Sequence, residues 1–385
     1  MLPRLGVGRP GASHPAPLRS ARVDFLRGVA IFAVLLLHFS LTYNLVDSPL
    51  SRLIPAKWLH AAVINGNYGV TLFFVISGFL ITSNNLLRYG PLSQVRLRQF
   101  YAFRFSRIIP PLIPALLIIV LLALSGMPSF INSRHGQPMP PAFMMVAILS
   151  VLTFWHNLLM QAVGYFNYCL NIYWSLSVEE VFYLTFPIAC VVLRRNRYII
   201  ALCIAAIVIG PVYRSLHLDN EIDYLYAYPA CFDAIAMGCL AAMLYPGITI
   251  GRTGESVIRL LAGAGLAASY FAGIDGHQIF GFTLVALSSA GLLINAFDGG
   301  PPRPWNLPGR MVCWFGRHSY ELYLFHIIVL GLLRSALPRT ALPVAGKLPL
   351  FIAFLALSGL LAAAMARYFA DPANARLRKV LNRDV

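Results

Sequence analysis

Eleven mostly apolar stretches, each approaching the length needed to cross a bilayer, follow one another at 25–45, 68–87, 109–125, 141–159, 173–193, 198–214, 228–246, 257–273, 278–297, 318–336 and 348–369. A helix needs ~20 such residues to cross ~30 Å of hydrocarbon, and every backbone donor and acceptor there must be satisfied within the segment. This restricts the chain to an all-α fold, a polytopic transmembrane helical bundle. Of its 385 residues, 58% are hydrophobic and 11% charged, where a soluble domain carries about 25% charged residues. An ordinary soluble enzyme is excluded. No internal repeat or long linker divides the sequence, so 22–371 reads as one domain.

The 30 Lys and Arg give a net charge of +16. They are scattered between apolar runs and make no continuous basic face, so nucleic acid is not an expected partner. If every run but 141–159 crosses, with the N-terminus inside, 23 basic residues lie on the cytoplasmic side and 7 outside. If all eleven cross, the split is 14 to 16, and the bias that orients membrane proteins disappears. The expectation is therefore about ten spans with both termini cytoplasmic, and 141–159 as an external or re-entrant segment. Residues 1–21 lack the apolar core of a signal peptide and are expected to be a disordered cytoplasmic tail, with 372–385 a basic one. Six cysteines show no CxxC or other ligand spacing, so neither a disulfide framework nor a metal site is expected.

The first span, RVDFLRGVAIFAVLLLHF, carries Asp24, Arg27 and His38. Arg27 and His38 are eleven residues apart, so they share nearly one helix face and stand ~16 Å apart along the axis. An ionisable group at membrane depth usually marks a pathway or a site, whereas the alternative is a packing histidine bonded to a neighbouring helix. Asp24 pairs most simply with Arg27 at i, i+3. In RLRQFYAFRFSRIIPP, Arg104 and Arg107 sit one turn apart on the cytoplasmic side. Such a pair suits phosphate oxygens, although juxtamembrane arginines also serve as orientation signals or lipid contacts.

IYWSLSVEEVFYLTFP places Glu179 and Glu180 about two turns into a span entered from outside. Buried adjacent carboxylates must pair, face a wet cavity or hold a proton, and on a helix they point ~100° apart, so different jobs are expected of them. Their depth overlaps that of His38, and a carboxylate beside that imidazole would orient it and raise its basicity. Asp233, in CFDAIAMGCLAAML, and Glu321, in RHSYELYLFH, are open between structural and functional roles, and His326 carries less weight. Ser77 and Gly78, in FFVISGFLIT, read as small residues for close helix packing. His14, His60, His135, His217 and His277 fall in tails, loops or span ends and are assigned no role.

Taken in order, these motifs resemble the acyltransferase-3 family of integral membrane acyltransferases, which includes the O-acetylases of bacterial surface polysaccharides. RVDFLRGVAIFAVLLLHF resembles its opening Arg-x10-His motif, FFVISGFLIT its second span and RFSRIIP its Arg-x-x-Arg motif. YWSLSVEEVFYLTFP resembles its Trp-Ser-Leu and Glu-containing span, and SYELYLFH its late signature. By that resemblance Arg27 and His38 are the Arg-x10-His pair, Arg104 and Arg107 help to receive acyl-coenzyme A at the cytoplasmic face, and Glu179 or Glu180 belongs to the site. The family often has an arginine two residues before the aspartate of a later span, but Cys231 stands there ahead of Asp233, and no role is carried over. Some relatives carry a soluble hydrolase-like domain after the membrane region. This chain ends at Val385 soon after its last span, so acceptor transfer is expected to be completed by the membrane part or by another protein.

The resemblance thus implies an enzyme of the bacterial inner membrane that moves an acyl group, acetyl in the O-acetylases, to a hydroxyl of a carbohydrate or lipid-linked glycan acceptor. His38 is the expected general base, held by Glu179 or Glu180. No Cys or Ser stands beside a histidine in a recognisable nucleophile arrangement, so direct transfer is the simpler expectation. Two readings stay open beside it: a transporter or flippase for a lipid-linked saccharide, and a non-catalytic membrane scaffold or sensor.

Overall fold

The computed structural model describes residues 20–134, 136–247, 250–297 and 306–381. In chain order the helices are α1 (Ala21–Tyr43), α2 (Ala56–Ile64), α3 (Asn67–Tyr89), α4 (Leu97–Leu124), α5 (Phe143–Leu152), α6 (His156–Val163), α7 (Trp174–Leu193) and α8 (Asn196–Leu216). They continue as α9 (Glu221–Tyr226), α10 (Tyr228–Leu244), α11 (Arg252–Ala272), α12 (Gly281–Leu292), α13 (Leu307–Arg317), α14 (Ser319–Ala336), α15 (Lys347–Met365) and α16 (Asp371–Leu381). Strand structure among the described residues is one two-residue ladder, Ser133–Arg134 against Gln137–Pro138.

Among the described residues, seven helical segments are long and apolar enough to cross a membrane: those containing α1, α3, α4, α7, α8, α10 and α15. The expected ten exceeds this number by α11, α12 and α14. Their sequences explain why they stand apart: α11 opens with Arg252, Glu255 and Arg259, α12 has 12 residues, and α14 carries Glu321, His326 and Arg334 within 18. The apolar run at 141–159 is divided between α5 and α6, with the chain reversing at Phe154, whose φ is +63°. Ten residues of α5 rise only ~15 Å, about half a hydrocarbon core, so this segment does not cross as one helix. Both short helices pack on α7.

Helix contacts use glycine where backbones touch, which is how membrane helices gain close packing. A Cβ built on Gly78 would overlap the Ile235 carbonyl oxygen, and one on Gly238 that of Val75. α3 and α10 therefore meet backbone to backbone. Gly28 and Gly316 do the same between α1 and α13. A buried ion pair ties three further segments: Arg214 Nη2 of α8 lies 2.7 Å from Asp233 Oδ2 of α10. Arg214 also donates to the carbonyl of Ala230, to Ile279 O at 3.0 Å and to Thr283 Oγ1 at 2.6 Å. The structure thus gives Asp233 a partner in packing, an arginine reached from the neighbouring helix.

A π-helical turn over Ala366–Ala370 joins α15 to α16, which lies along α4. The segment expected as a basic tail is thus helical to Leu381, and 382–385 lie outside the described residues. Of the expected N-terminal tail, 1–19 lie outside them too, while Ala21 already begins α1.

Candidate functional site

Residues 27, 31, 34 and 38 form one face of α1, and that face meets α14 at two levels. At one level Arg27 Nε donates to Ser319 Oγ at 3.1 Å. Eleven residues further along, His38 Nδ1 stands 3.2 Å from His326 Nε2, with the ring centroids 5.0 Å apart. Both contacts advance in the same direction along the two helices, so α1 and α14 run parallel through the bundle.

The histidine pair has a defined proton arrangement. His326 Nδ1 lies 2.9 Å from Leu322 O and His38 Nδ1 lies 3.0 Å from Val34 O. A carbonyl oxygen only accepts, so His326 carries its proton on Nδ1 and offers a lone pair at Nε2. His38 Nδ1 therefore faces two acceptors, Val34 O and His326 Nε2, and must be the protonated nitrogen. Its Nε2 is left as an unprotonated lone pair with no hydrogen-bond partner among the described residues. His326 is buried, whereas His38 is partly accessible.

Among the described residues no carboxylate, the partner expected for His38, lies within ion-pair distance of it. Glu179 and Glu180 are drawn instead to a full positive charge at their own depth, the Arg104 guanidinium of α4. Arg104 Nη2 lies 2.8 Å from Glu180 Oε1 and 3.8 Å from Glu179 Oε1, and its Cζ sits 3.5 Å from the centre of the Tyr183 ring. Glu179 also accepts from Tyr183 Oη at 2.6 Å and from Ser77 Oγ of α3. Adjacent carboxylates diverge as helix geometry requires: Glu180 is buried against α4, while Glu179 also reaches α3. Arg104, expected to meet phosphate, is thus engaged internally; Arg107, one turn on, is exposed.

Tyr323 of α14 links the histidine pair to α7. Tyr323 Oη bonds Ser175 Oγ at 2.6 Å, and its ring centroid is 6.0 Å from that of His326. One polar interior is therefore bounded by α1, α3, α4, α7 and α14. At the other end, Thr42 Oγ1 donates to His38 O at 3.0 Å and bonds Tyr168 Oη at 2.6 Å. An apolar cavity of about 1090 Å³ lies elsewhere, bordered by Val29, Phe32 and Leu36, on the far side of α1 from His38.

Sequence reasoning placed Arg27, His38 and the glutamates at this level but gave little weight to His326 and read Ser77 as packing. A signal was present, because Ser319, Tyr323 and His326 repeat the i, i+4, i+7 spacing that marks one helix face.

The chain belongs to the family described as acyltransferase domain, whose sequence profile matches residues 20–367. Among its relatives, Putative O-acetyltransferase SACOL0978 of Staphylococcus aureus (strain COL) is 24% identical over 363 residues, covering 87% of this chain and 54% of the relative. O-acetyltransferase OatA of Staphylococcus aureus (strain NCTC 8325 / PS 47) is 25% identical over 343 residues, covering 84% of this chain and 52% of its own length. The chain thus spans about half the length of the curated relatives it matches. No solved structure gives a significant match.

Proposed function

We propose that this chain is a membrane O-acyltransferase that moves an acyl group from acyl-coenzyme A, approaching from the inner face, to a hydroxyl of a carbohydrate or lipid-linked glycan. In this reading the bundle crosses a bacterial cytoplasmic membrane ten times, with α11, α12 and α14 completing the seven longer spans and both termini inside. The observation that carries it is the His38–His326 pair, which leaves one ring nitrogen, His38 Nε2, without a hydrogen-bond partner among the described residues, in a polar interior. Membership of the acyltransferase-domain family supports the reaction class.

His38 Nε2 takes the proton of the acceptor hydroxyl as that oxygen attacks the thioester carbonyl. The new C–O bond forms, the C–S bond breaks, and the imidazolium returns its proton to the departing sulfur. Val34 O and His326 Nε2 both accept from Nδ1 of that imidazolium, so its charge is stabilised when it forms. Glu179, Glu180, Arg104 and Tyr183 hold α3, α4 and α7 in register around the base, and Arg27 fixes the inner level of α1 against Ser319.

The test is acyl transfer in reconstituted vesicles with labelled acetyl-coenzyme A and a glycan acceptor. The unmodified protein is expected to yield a covalently acylated glycan, and His38→Ala to lose ~10² to 10⁴ in rate. Full transfer by a His38→Ala protein that inserts normally would remove the base assignment. Movement of an unmodified saccharide across the vesicle, with no acylated product, would replace the enzyme by a transporter.

A further inference from the structure

Arg334, in the last turn of α14, stands on a fixed platform. Just beyond it, Ser335 Oγ lies 3.0 Å from Ser129 Oγ, and Leu337 O accepts from Tyr43 Oη of α1 at 3.0 Å. Arg334 itself is exposed, yet its guanidinium lies against the Tyr168 ring, with Cζ 4.6 Å from the ring centre. Thr42 Oγ1 spends its proton on His38 O at 3.0 Å, so in the 2.6 Å contact with Tyr168 it is the tyrosine hydroxyl that donates. Three contacts thus lead from an exposed charge to the backbone of the residue that holds the unpartnered ring nitrogen. Among the described residues Arg334 has no carboxylate within ion-pair distance. It follows His326 by eight residues, ~12 Å along the helix, and helical side chains lean back toward the N-terminal end, here toward the histidine pair.

Topology does not account for this arginine. On the orientation proposed above it is one of the 7 basic residues left outside, against the bias that gathers such residues within. An arginine serving only to meet water or headgroups would snorkel away from the bundle, whereas this one is laid over a ring tied to α1 beside His38. We infer that Arg334, held on Tyr168 at the outer mouth of the His38 site, recognises an acidic group on the acceptor glycan. The inference rests on the acceptor reading above and specifies its chemistry. The reacting hydroxyl reaches His38 Nε2 while the guanidinium fork grips paired oxygens, carboxylate or phosphate, further out on the same acceptor. A neutral glycan has no such hold. An anionic lipid headgroup offers the same oxygen chemistry, and the experiment separates the two sources.

Binding and acyl transfer from labelled acetyl-coenzyme A are measured on the full chain in phosphatidylcholine nanodiscs, with and without phosphatidylglycerol. The probes are an oligogalacturonide and the same oligomer carboxyl-reduced to neutral galactose units. The unmodified protein is expected to prefer the acidic oligomer, and the preference to shrink at high ionic strength because Arg334 is exposed. Arg334→Gln is expected to weaken the acidic oligomer about tenfold, in Kd and in KM with kcat held, with little change for the neutral one, and Arg334→Lys to fall between. Tyr168→Leu, which removes the platform, is expected to lose part of the same preference; if it does not fold, Arg334→Gln alone decides. Equal affinity of the unmodified protein for the two oligomers, or an unchanged preference in Arg334→Gln, would overturn the inference. A response to phosphatidylglycerol lost in Arg334→Gln, with oligomer binding intact, would give the residue to lipid and overturn it as well. The preference without any acylated product would remove the reaction reading and keep this site, and acylation of the neutral oligomer alone would do the reverse.

Discussion

His38 and His326 meet ring nitrogen to ring nitrogen, 3.2 Å apart, each having already given its Nδ1–H to a carbonyl one turn earlier on its own helix. A second histidine thus supplies the acceptor that a carboxylate would have supplied. The consequence is testable at position 326. His326→Leu removes the acceptor while Val34 O still holds His38, so kcat is expected to fall about tenfold, less than for His38→Ala. His326→Gln, whose amide oxygen accepts, is expected to recover part of it. A Leu variant as fast as the unmodified protein would show that the pair does not position the base.

Arg104 and Arg107 are one turn apart, yet their substitutions should separate. Arg104 is bound to Glu180, and breaking a buried ion pair from one side leaves the other charge unpaired at a cost of about 3 to 5 kcal/mol. Arg104→Ala is therefore expected to lower the unfolding temperature markedly, and replacing both partners with leucine should restore much of it. Arg107 is exposed, so Arg107→Ala should leave stability within about 0.5 kcal/mol while raising KM for acyl-coenzyme A. The reverse pattern would refute this division of labour.

The backbone contact of α3 with α10 leaves no room for a side chain at Gly78. Gly78→Ala is expected to destabilise by about 1 to 3 kcal/mol or to abolish insertion, because the clash is with a carbonyl that cannot rotate away. Gly263→Ala is the control, since a Cβ there meets nothing within 4 Å. Comparable thermal stability of the two variants would show that the helices can separate freely.

His156 lies outside the seven long spans, buried at the start of α6 with Nδ1 2.7 Å from Ser150 Oγ. Burial holds its pKa down to about 4, from an ordinary value of 6.5. The folded protein therefore keeps the ring neutral at pH values where the unfolded chain protonates it. Its contribution to stability is complete above pH 6.5 and declines as pH falls toward 4, by up to ~1.4 kcal/mol per pH unit. Denaturant unfolding at pH 7 and pH 5 should show this slope for the unmodified protein and a shallower one for His156→Asn. Identical slopes would mean that His156 is protonated in the fold.

Much of this architecture is readable from residue spacing alone. The face of α1 carrying Arg27 and His38 and the divergence of Glu179 from Glu180 both follow from helical period. What spacing does not encode is which face meets which. His38 and His326 are 288 residues apart, and only packing decides that the imidazole finds another imidazole while the glutamates find Arg104. Arg214 shows the same limit: it stands at the end of the apolar run 198–214, and only the fold turns it onto Asp233 of another helix. Ser77 reads as packing because its neighbour Gly78 does pack, and a residue one position away points to another helix.

The arrangement of the two imidazoles also bounds what can travel through them. A proton captured at His38 Nε2 can pass at most one step, to His326 Nε2, and there it stops, because the remaining nitrogen is committed to the Leu322 carbonyl. The pair is a reservoir for a single proton with one opening, so whatever is deposited must be withdrawn through the same opening. That behaviour suits a cycle in which the proton is lent and reclaimed within one turnover, and it is the opposite of a relay that would carry protons from one face of the membrane to the other.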